Sequence, residues 1–532
     1  MKRCNVMPSV LGGLLVAASV FTGRPALAAD PAAGYTNPVI PGDHPDPSII
    51  RVGKDYWATA TSSEWGPEFP LLHSTDLVNW EQTGAVFPHR PFWAVGNFWA
   101  PEITRFQERF HVYYVGRAKN GPLSVAVAVA DQPGGPYVDH GPLVSQPAGS
   151  IDPVVCFDEK DEPYLIWKED GNSIKKPTPL WAQPLDETGT KLIGERKELF
   201  HNDADWEGAV VEGPFVLRRG EWFYLFYSGA GCCGAGCNYA LGVARSHALL
   251  GPWEKNPANP ILKANDQWKC PGHGSIVTDE SGRFWLLYHA YAAQGGLFTG
   301  REALLDEVKF GANGWPTIHA DQGPSSGGSA PLGVPQKPAN QGFRDEFKST
   351  QMLPGWEWPQ NNEPTFRLGG GKLVLVGQAG HPAGNFAAVL ARPTIATDYF
   401  ATTVVAAEAL APGVLAGLSV FGDSQNALGL STGGGKLILW RRDHGRRTEL
   451  AQLEAPAGAR LFLRLTTTEG YKFKFAASPD GQHWTSVGDD VLGKGLPPWD
   501  RSLRVALVVE GKDQAEARFD SFEFTPAPKP VH

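Results

Sequence analysis

Val210-Val211-Glu212-Gly213-Pro214-Phe215-Val216 sets a carboxylate at the head of an apolar run, hemmed by Gly and Pro. A turn at Arg218-Arg219-Gly220 leads into Trp222-Phe223-Tyr224-Leu225-Phe226-Tyr227, a second run rich in strand-forming aromatics. This reads as strand, turn, strand. The same unit recurs. His44-Pro45-Asp46-Pro47-Ser48-Ile49-Ile50 leads to Tyr56-Trp57-Ala58-Thr59. Trp99-Ala100-Pro101-Glu102-Ile103 leads to Phe110-His111-Val112-Tyr113-Tyr114. Ser150-Ile151-Asp152-Pro153-Val154 leads to Tyr164-Leu165-Ile166-Trp167, and Gly272-His273-Gly274-Ser275-Ile276 to Phe284-Trp285-Leu286-Leu287-Tyr288.

The anchors Asp46, Glu102, Asp152, Glu212 and His273 follow one another at 50 to 61 residues. Near-constant repetition at this length predicts propeller blades or another repeat array, each anchor taking the same place where the first strand of its unit begins. In a radial array those strand ends face one axis, so polar groups far apart in sequence converge on one funnel. A single Asp-Pro or Glu-Gly-Pro is ordinarily a turn; four acids and a histidine at matched positions point to a site.

At 532 residues the chain exceeds one ordinary core. The expected division is a signal segment over 1–29, a propeller over 30–320, a linker over 321–341 and a second domain over 342–532. Lys2 and Arg3, the apolar Val10–Phe21 and the small residues Ala26-Leu27-Ala28 match a secretory leader, which predicts export to the periplasm or outside the cell. The apolar run is too short to span a bilayer, so no membrane association is expected after cleavage. The formal charge of −9 becomes −12 once Lys2, Arg3 and Arg24 leave with the leader. An acidic protein of this kind is a poor partner for nucleic acid or anionic lipid. Asp30–Asn37 is expected to be a disordered lead.

Beyond residue 342, short alternating segments such as Lys372–Val376, Thr402–Ala406, Leu461–Thr466 and Leu503–Val509 predict a β-sandwich. The fold class is therefore all-β: a five-bladed propeller, then a sandwich of jelly-roll type. Outside the leader lie Cys156, Cys232, Cys233, Cys237 and Cys270. A disulfide between Cys270 and one of the Gly-rich 230–237 cluster fits an exported protein and leaves an odd thiol. The rival, a zinc site, lacks histidines at finger-like spacing.

Paired carboxylates in a funnel suit glycoside hydrolysis, in which one acid protonates the leaving oxygen and a second carboxylate acts from the other face of the sugar. A third acid near the proton donor raises its pKa by like-charge repulsion. Together His44-Pro45-Asp46-Pro47-Ser48-Ile49, Trp99-Ala100-Pro101-Glu102-Ile103, Ser150-Ile151-Asp152-Pro153 and Val211-Glu212-Gly213-Pro214 resemble glycoside hydrolase family 43 over about Asn37–Pro316. That resemblance implies a five-bladed propeller and an inverting reaction. The family's members include α-L-arabinofuranosidases, β-xylosidases and endo-arabinanases. It implies Asp46 as general base, Glu212 as general acid and Asp152 as the acid that tunes and orients Glu212. It implies Arg301 and His273 at the sugar, with His273 matching a histidine that often holds calcium through waters; the chemistry itself requires no cofactor. Glu102 is not used for proton transfer in that family and is assigned to structure or the pocket rim. Glu207 reads as a loop residue. Trp99, Trp93 and Phe92 are candidate sugar platforms. The second domain resembles the concanavalin-like sandwich of family β-xylosidases, which can wall one side of the pocket. The loop Ala230–Cys237 departs from the plainest family pattern and is placed at the pocket mouth. The expected substrates are arabinan, arabinoxylan or xylo-oligosaccharides, with an α-L-arabinofuranosidase favoured, a β-xylosidase next, then an endo-arabinanase, and a non-catalytic sugar-binding protein as the alternative of another class.

Overall fold

Each repeat folds as a four-stranded antiparallel sheet in the computed structural model, which describes residues 33–338, 342–377, 386–511 and 514–527. The signal expected over 1–29 and the linker residues 339–341 lie outside the described residues. The innermost strands of blades I to V are Ser48–Val52, Trp99–Phe106, Ser150–Phe157, Val211–Arg219 and Trp268–Thr278. Their hairpin partners are Asp55–Thr59, Arg109–Arg117, Pro163–Glu169, Trp222–Gly229 and Phe284–Ala292. These second strands read as unbroken apolar runs because both faces of a blade are covered by its neighbours. Phe69 and Leu71 meet Val112 and Tyr114 between blades I and II. Tyr113 and Val127 meet Leu165 and Trp167 between II and III. Tyr224 and Phe226 meet Leu286 and Tyr288 between IV and V. Tyr56 and Ile49 meet Trp285 and Leu287 where V closes on I, and there the Ile49 N–H donates to Ser275 Oγ at 2.8 Å.

Residues 30–32 of the expected lead also lie outside the described residues, but from residue 33 the lead is ordered, and part of the linker pairs with it. Gly34–Thr36 pairs with Gly327–Ser329, and the Val39 and Ile40 N–H groups both donate to the Ala303 carbonyl. The two ends of the propeller segment thus tie the ring shut, and backbone pairing supplies the order that composition alone does not signal.

The anchors do not share one position. Asp46, Ala100, Asp152, Gly213 and His273 share a left-handed backbone, with φ of 52°, 41°, 55°, 57° and 40°. In blades II to V this residue lies at a register break in the inner strand. Such a bulge turns the strand end and re-aims its side chain. Non-glycine residues held in this region cost free energy and gather at functional sites. Glu212 stands one residue before the bulge position. Glu102 stands two after it, level with Ser48, Val154, Phe215 and Ser275. Blade IV needs glycine at the bulge, because a Cβ on Gly213 would come within 2.8 Å of the His273 ring.

The second domain is a sandwich of a nine-stranded and a six-stranded sheet. Leu390, Leu418, Leu463, Phe475, Val505 and Phe519 belong to its core. Another face is covered by the propeller: Trp65 packs with Val389, Ile438, Trp440 and Val508, and Trp65–Gly66 pairs with Trp358–Pro359. That docking brings the segment before Arg504–Glu510 to the propeller axis.

Candidate active site

A pocket of about 330 Å³ opens where the inner strands begin. Asp46, Asp152, Glu212, His273, Arg301 and Trp99 all line it. Phe92 and Trp93 do not. Phe92 is fully exposed in the connection between blades I and II. Trp93 braces blade II instead, its Nε1 donating to Tyr114 Oη at 3.2 Å and its ring lying against Gly116. Glu102 is outside the pocket lining; burial pushes its carboxyl up to about 8, and Ser48 is its hydrogen-bond partner. Glu207 is fully buried, held by Lys255 Nζ at 2.7 Å and Tyr227 Oη at 2.7 Å. It is a structural ion pair rather than a loose loop residue.

Asp46 is ringed by a guanidinium, two imidazoles and a hydroxyl, and its own N–H donates to His289 Nδ1 at 3.0 Å. Its Oδ1 lies 3.1 Å from Arg301 Nη1, 3.2 Å from His289 Nδ1 and 3.4 Å from His273 Nδ1. Its Oδ2 accepts from Thr61 Oγ1 at 2.7 Å, and that same hydroxyl accepts the Ala100 N–H at 2.6 Å. Burial opposes ionisation, but Arg301 and then His273 and His289 outweigh it and hold Asp46 well below the usual carboxylate range.

Across the pocket, Asp152 on blade III and Glu212 on blade IV form a coupled pair. Asp152 Oδ2 accepts the Gly213 N–H at 2.9 Å. Burial, reinforced by Glu212, raises Asp152 to about 6, against the pull of His273 and Lys168. Glu212 is also pushed up by burial, yet Lys168 overcomes this and lowers it. Lys168 Nζ sits 2.7 Å from Glu212 Oε2 and 3.0 Å from Asp170 Oδ1, and the lysine is buried.

Sequence reasoning missed Lys168, Asp170 and Asn172 from the end of blade III's second strand and its following turn. It also missed the disulfide Cys232–Cys233 and, from the sandwich, Trp499 and Asp500; all of these line the pocket. The Asp500 carbonyl accepts from Arg301 Nη2 at 3.3 Å. The expected bridge from Cys270 to the cluster is formed with Cys237, and Cys156 is the free, buried thiol.

Calcium favours six to eight oxygen ligands. Among the described residues no group of three or more His, Cys, Asp and Glu is arranged to hold a metal. His273 turns its Nδ1 to Asp46 and packs its ring over Gly213. The residues present do not form a directly ligated calcium site; an ion held at His273 through waters is a proposal that calorimetric titration of calcium into chelated protein tests. No helix among the described residues is long and apolar enough to cross a membrane.

Comparison with known proteins agrees with this geometry. The profile for glycosyl hydrolases family 43 matches residues 35–316, and that for the beta xylosidase C-terminal concanavalin A-like domain matches 344–498. The chain is 30% identical to xylosidase/arabinosidase 43B of Humicola insolens over 54% of its own length and 55% of that protein. It is 28% identical to the non-reducing end α-L-arabinofuranosidase BoGH43B of Bacteroides ovatus over 54% of each. It thus spans about half the length of the curated relatives it matches. The crystal structure of BlXynB from Bacillus licheniformis superposes with a TM-score of 0.79 at 26% identity, covering 93% of this chain and all of that one. Five blades, a pocket that gathers Asp46, Asp152 and Glu212, and the matched profile over more than half of the sequence agree: the chain belongs to glycoside hydrolase family 43.

Proposed function

We propose that this protein is an exported, inverting exo-glycosidase that removes single pentoses from plant cell-wall polysaccharides, first as an α-L-arabinofuranosidase. The observation that carries this reading is the convergence of Asp46, Asp152 and Glu212 in one pocket bordered by Trp499 and Asp500 of the sandwich. A wall from the second domain suits one terminal sugar better than a continuous chain. Asp46, kept ionised, takes a proton from water as the water oxygen attacks the anomeric carbon. The proton that the Asp152–Glu212 pair carries passes to Glu212 and from it to the leaving oxygen as the glycosidic bond breaks. Asp152 holds the proton that the pair carries in the resting state. Inversion calls for carboxyl groups about 6.5–9.5 Å apart, and Asp46 and Glu212 stand on blades that are not adjacent in the ring.

The β-xylosidase reading is second, favoured by the match of the C-terminal domain to that of β-xylosidases. Purified protein given nitrophenyl α-L-arabinofuranoside and nitrophenyl β-xyloside separates the two. Proton NMR of the first-formed sugar is expected to show the inverted anomer; a retained anomer sinks the mechanism. Oligosaccharides released from arabinan, with neither nitrophenyl glycoside cleaved, sink the exo assignment.

A further inference from the structure

The loop Ala230–Cys237 is not accounted for by the three acids, yet it borders the same pocket. It leaves the sheet beside Glu212: Ser228 pairs with Glu212 and Gly229 with Val211, and the Ala230 N–H donates to the Glu207 and Val210 carbonyls. The loop therefore rises on the side of the proton donor, while Asp46 stands on blade I. In an inverting displacement the leaving sugar lies beyond the proton donor, opposite the attacking water. What rises next to Glu212 faces the leaving group.

This loop is built to hold one shape. The Gly231 N–H donates to Asn238 Oδ1 at 2.8 Å, and the Asn238 N–H donates back to the Gly231 carbonyl at 3.0 Å. Cys237 is bonded to the buried Cys270. The Gly234 N–H donates to Tyr291 Oη at 3.3 Å, and Gly234 comes so near the Trp499 carbonyl that a Cβ there would be 3.1 Å from it. Residues 230–237 are Ala, Gly and Cys only, so no side chain in the loop can donate strongly to a hydroxyl. What it presents to the pocket is Ala230, Gly231 and the bonded Cys232 and Cys233; the two cysteines are half-buried, and Cys232 packs against the cluster of Tyr239, Tyr291 and Cys270. A fixed, polarisable, apolar ledge is complementary to the C–H face of a sugar ring, and its order before binding spares the entropy that a mobile loop would lose.

We propose that the Cys232–Cys233 disulfide is a leaving-group subsite, packing against the C–H face of the sugar that departs from the cleaved bond. It takes a second pentose or hexose ring of an oligosaccharide. The inference rests on the hydrolase reading above.

The test compares two substrates with the same terminal sugar, whichever the nitrophenyl panel selects: its disaccharide, whose second ring fills the subsite, and its glycosyl fluoride, whose leaving group does not. Cys232→Ser/Cys233→Ser, with Cys237–Cys270 verified by peptide mapping, is expected to lose about tenfold in kcat/KM on the disaccharide and less than about twofold on the fluoride. An equal loss on both, or none on either, overturns the subsite. Should the double variant not fold, wild-type protein reduced and capped with iodoacetamide at Cys232 and Cys233 alone is measured the same way, with the same expected split. Wild-type turnover of neither substrate removes the hydrolase reading itself, a failure visible before any variant is made, and removes the subsite with it.

Discussion

The two sides of the pocket use the same functional group in opposite surroundings. Asp46 has two histidines and an arginine about its Oδ1 and a hydroxyl at Oδ2. Its charge is stabilised so strongly that protonation lies well below the usual range. For Asp152 and Glu212, Lys168, the nearby His273 and hydrogen bonds from the Gly213 N–H and Tyr239 offset burial and mutual repulsion less completely. They hold on to a proton up to about pH 6, the value for Asp152, and because they are coupled that proton belongs to the pair. On the roles proposed above, environment divides one chemistry into a permanent base and a proton store.

The sharpest way to break this division is to neutralise each side in turn. Asp46→Asn is expected to lose about a thousandfold or more in kcat on every substrate, because water always needs its base. Glu212→Gln is expected to lose about 10²–10⁴-fold on oligosaccharides but little on a glycosyl fluoride, whose leaving group needs no proton. Sugar binding by Glu212→Gln should survive, measured by calorimetry. Turnover of oligosaccharide by Glu212→Gln at the wild-type rate would remove Glu212 from the role of acid, and parallel losses by both variants on the fluoride would erase the contrast.

The next effect is on pH. Deprotonation of the pair removes the proton that the leaving group must receive, so wild-type kcat/KM is expected to fall as pH rises through about 6. The acidic limb should be absent in the ordinary range, since Asp46 stays ionised there. Lys168→Met removes the cation that draws the proton off Glu212, so the alkaline limb should move up by at least about one pH unit, with kcat lower by about tenfold. A limb that does not move means that Lys168 only fills space.

Much of this was legible along the chain, and the gaps have physical causes. The aromatic second strands announce the blades because neighbouring blades cover both their faces. Asp46, Asp152, Glu212 and His273 stand out because polar anchors recur at comparable places in successive aromatic-rich units. Their exact offsets are not legible: the bulge is a backbone event, and Asp46, Asp152 and His273 enter left-handed conformations that favour glycine. Aligning on chemistry rather than on backbone therefore misplaced Glu102 and Glu212 by one or two residues. Lys168 left a signal that went unread, a lysine ending the apolar Tyr164-Leu165-Ile166-Trp167 where solvent cannot reach it. Trp93 and Phe92 misled because an aromatic near a site is more often packing or surface than platform. Trp499 and Asp500 left none, since the docking of one domain on another is written in no local period.

That docking separates the two sides once more. The base side is completed by the sandwich: Asp43 Oδ1 accepts the Arg301 N–H at 3.2 Å, while its Oδ2 accepts from Arg504 Nη1 at 3.1 Å and from the Ser502 N–H at 3.0 Å. Asp500 then holds the Arg301 guanidinium that faces Asp46. The acid side, Lys168 with Asp170, Asp152 and Glu212, is paired wholly within the propeller. Arg504→Met leaves Asp43 and Glu357 without their buried partner, which costs about 3–5 kcal/mol of stability and should appear as a lower melting temperature. In the protein that remains folded, kcat/KM is expected to fall only about threefold to tenfold, through loosened placement of Arg301. The alkaline limb, set by the pair on the far wall, should stay where it is, because nothing in that pair touches the sandwich. A limb that shifts with Arg504→Met would mean that the second domain reaches both carboxylate systems, and the two sides would no longer be independent.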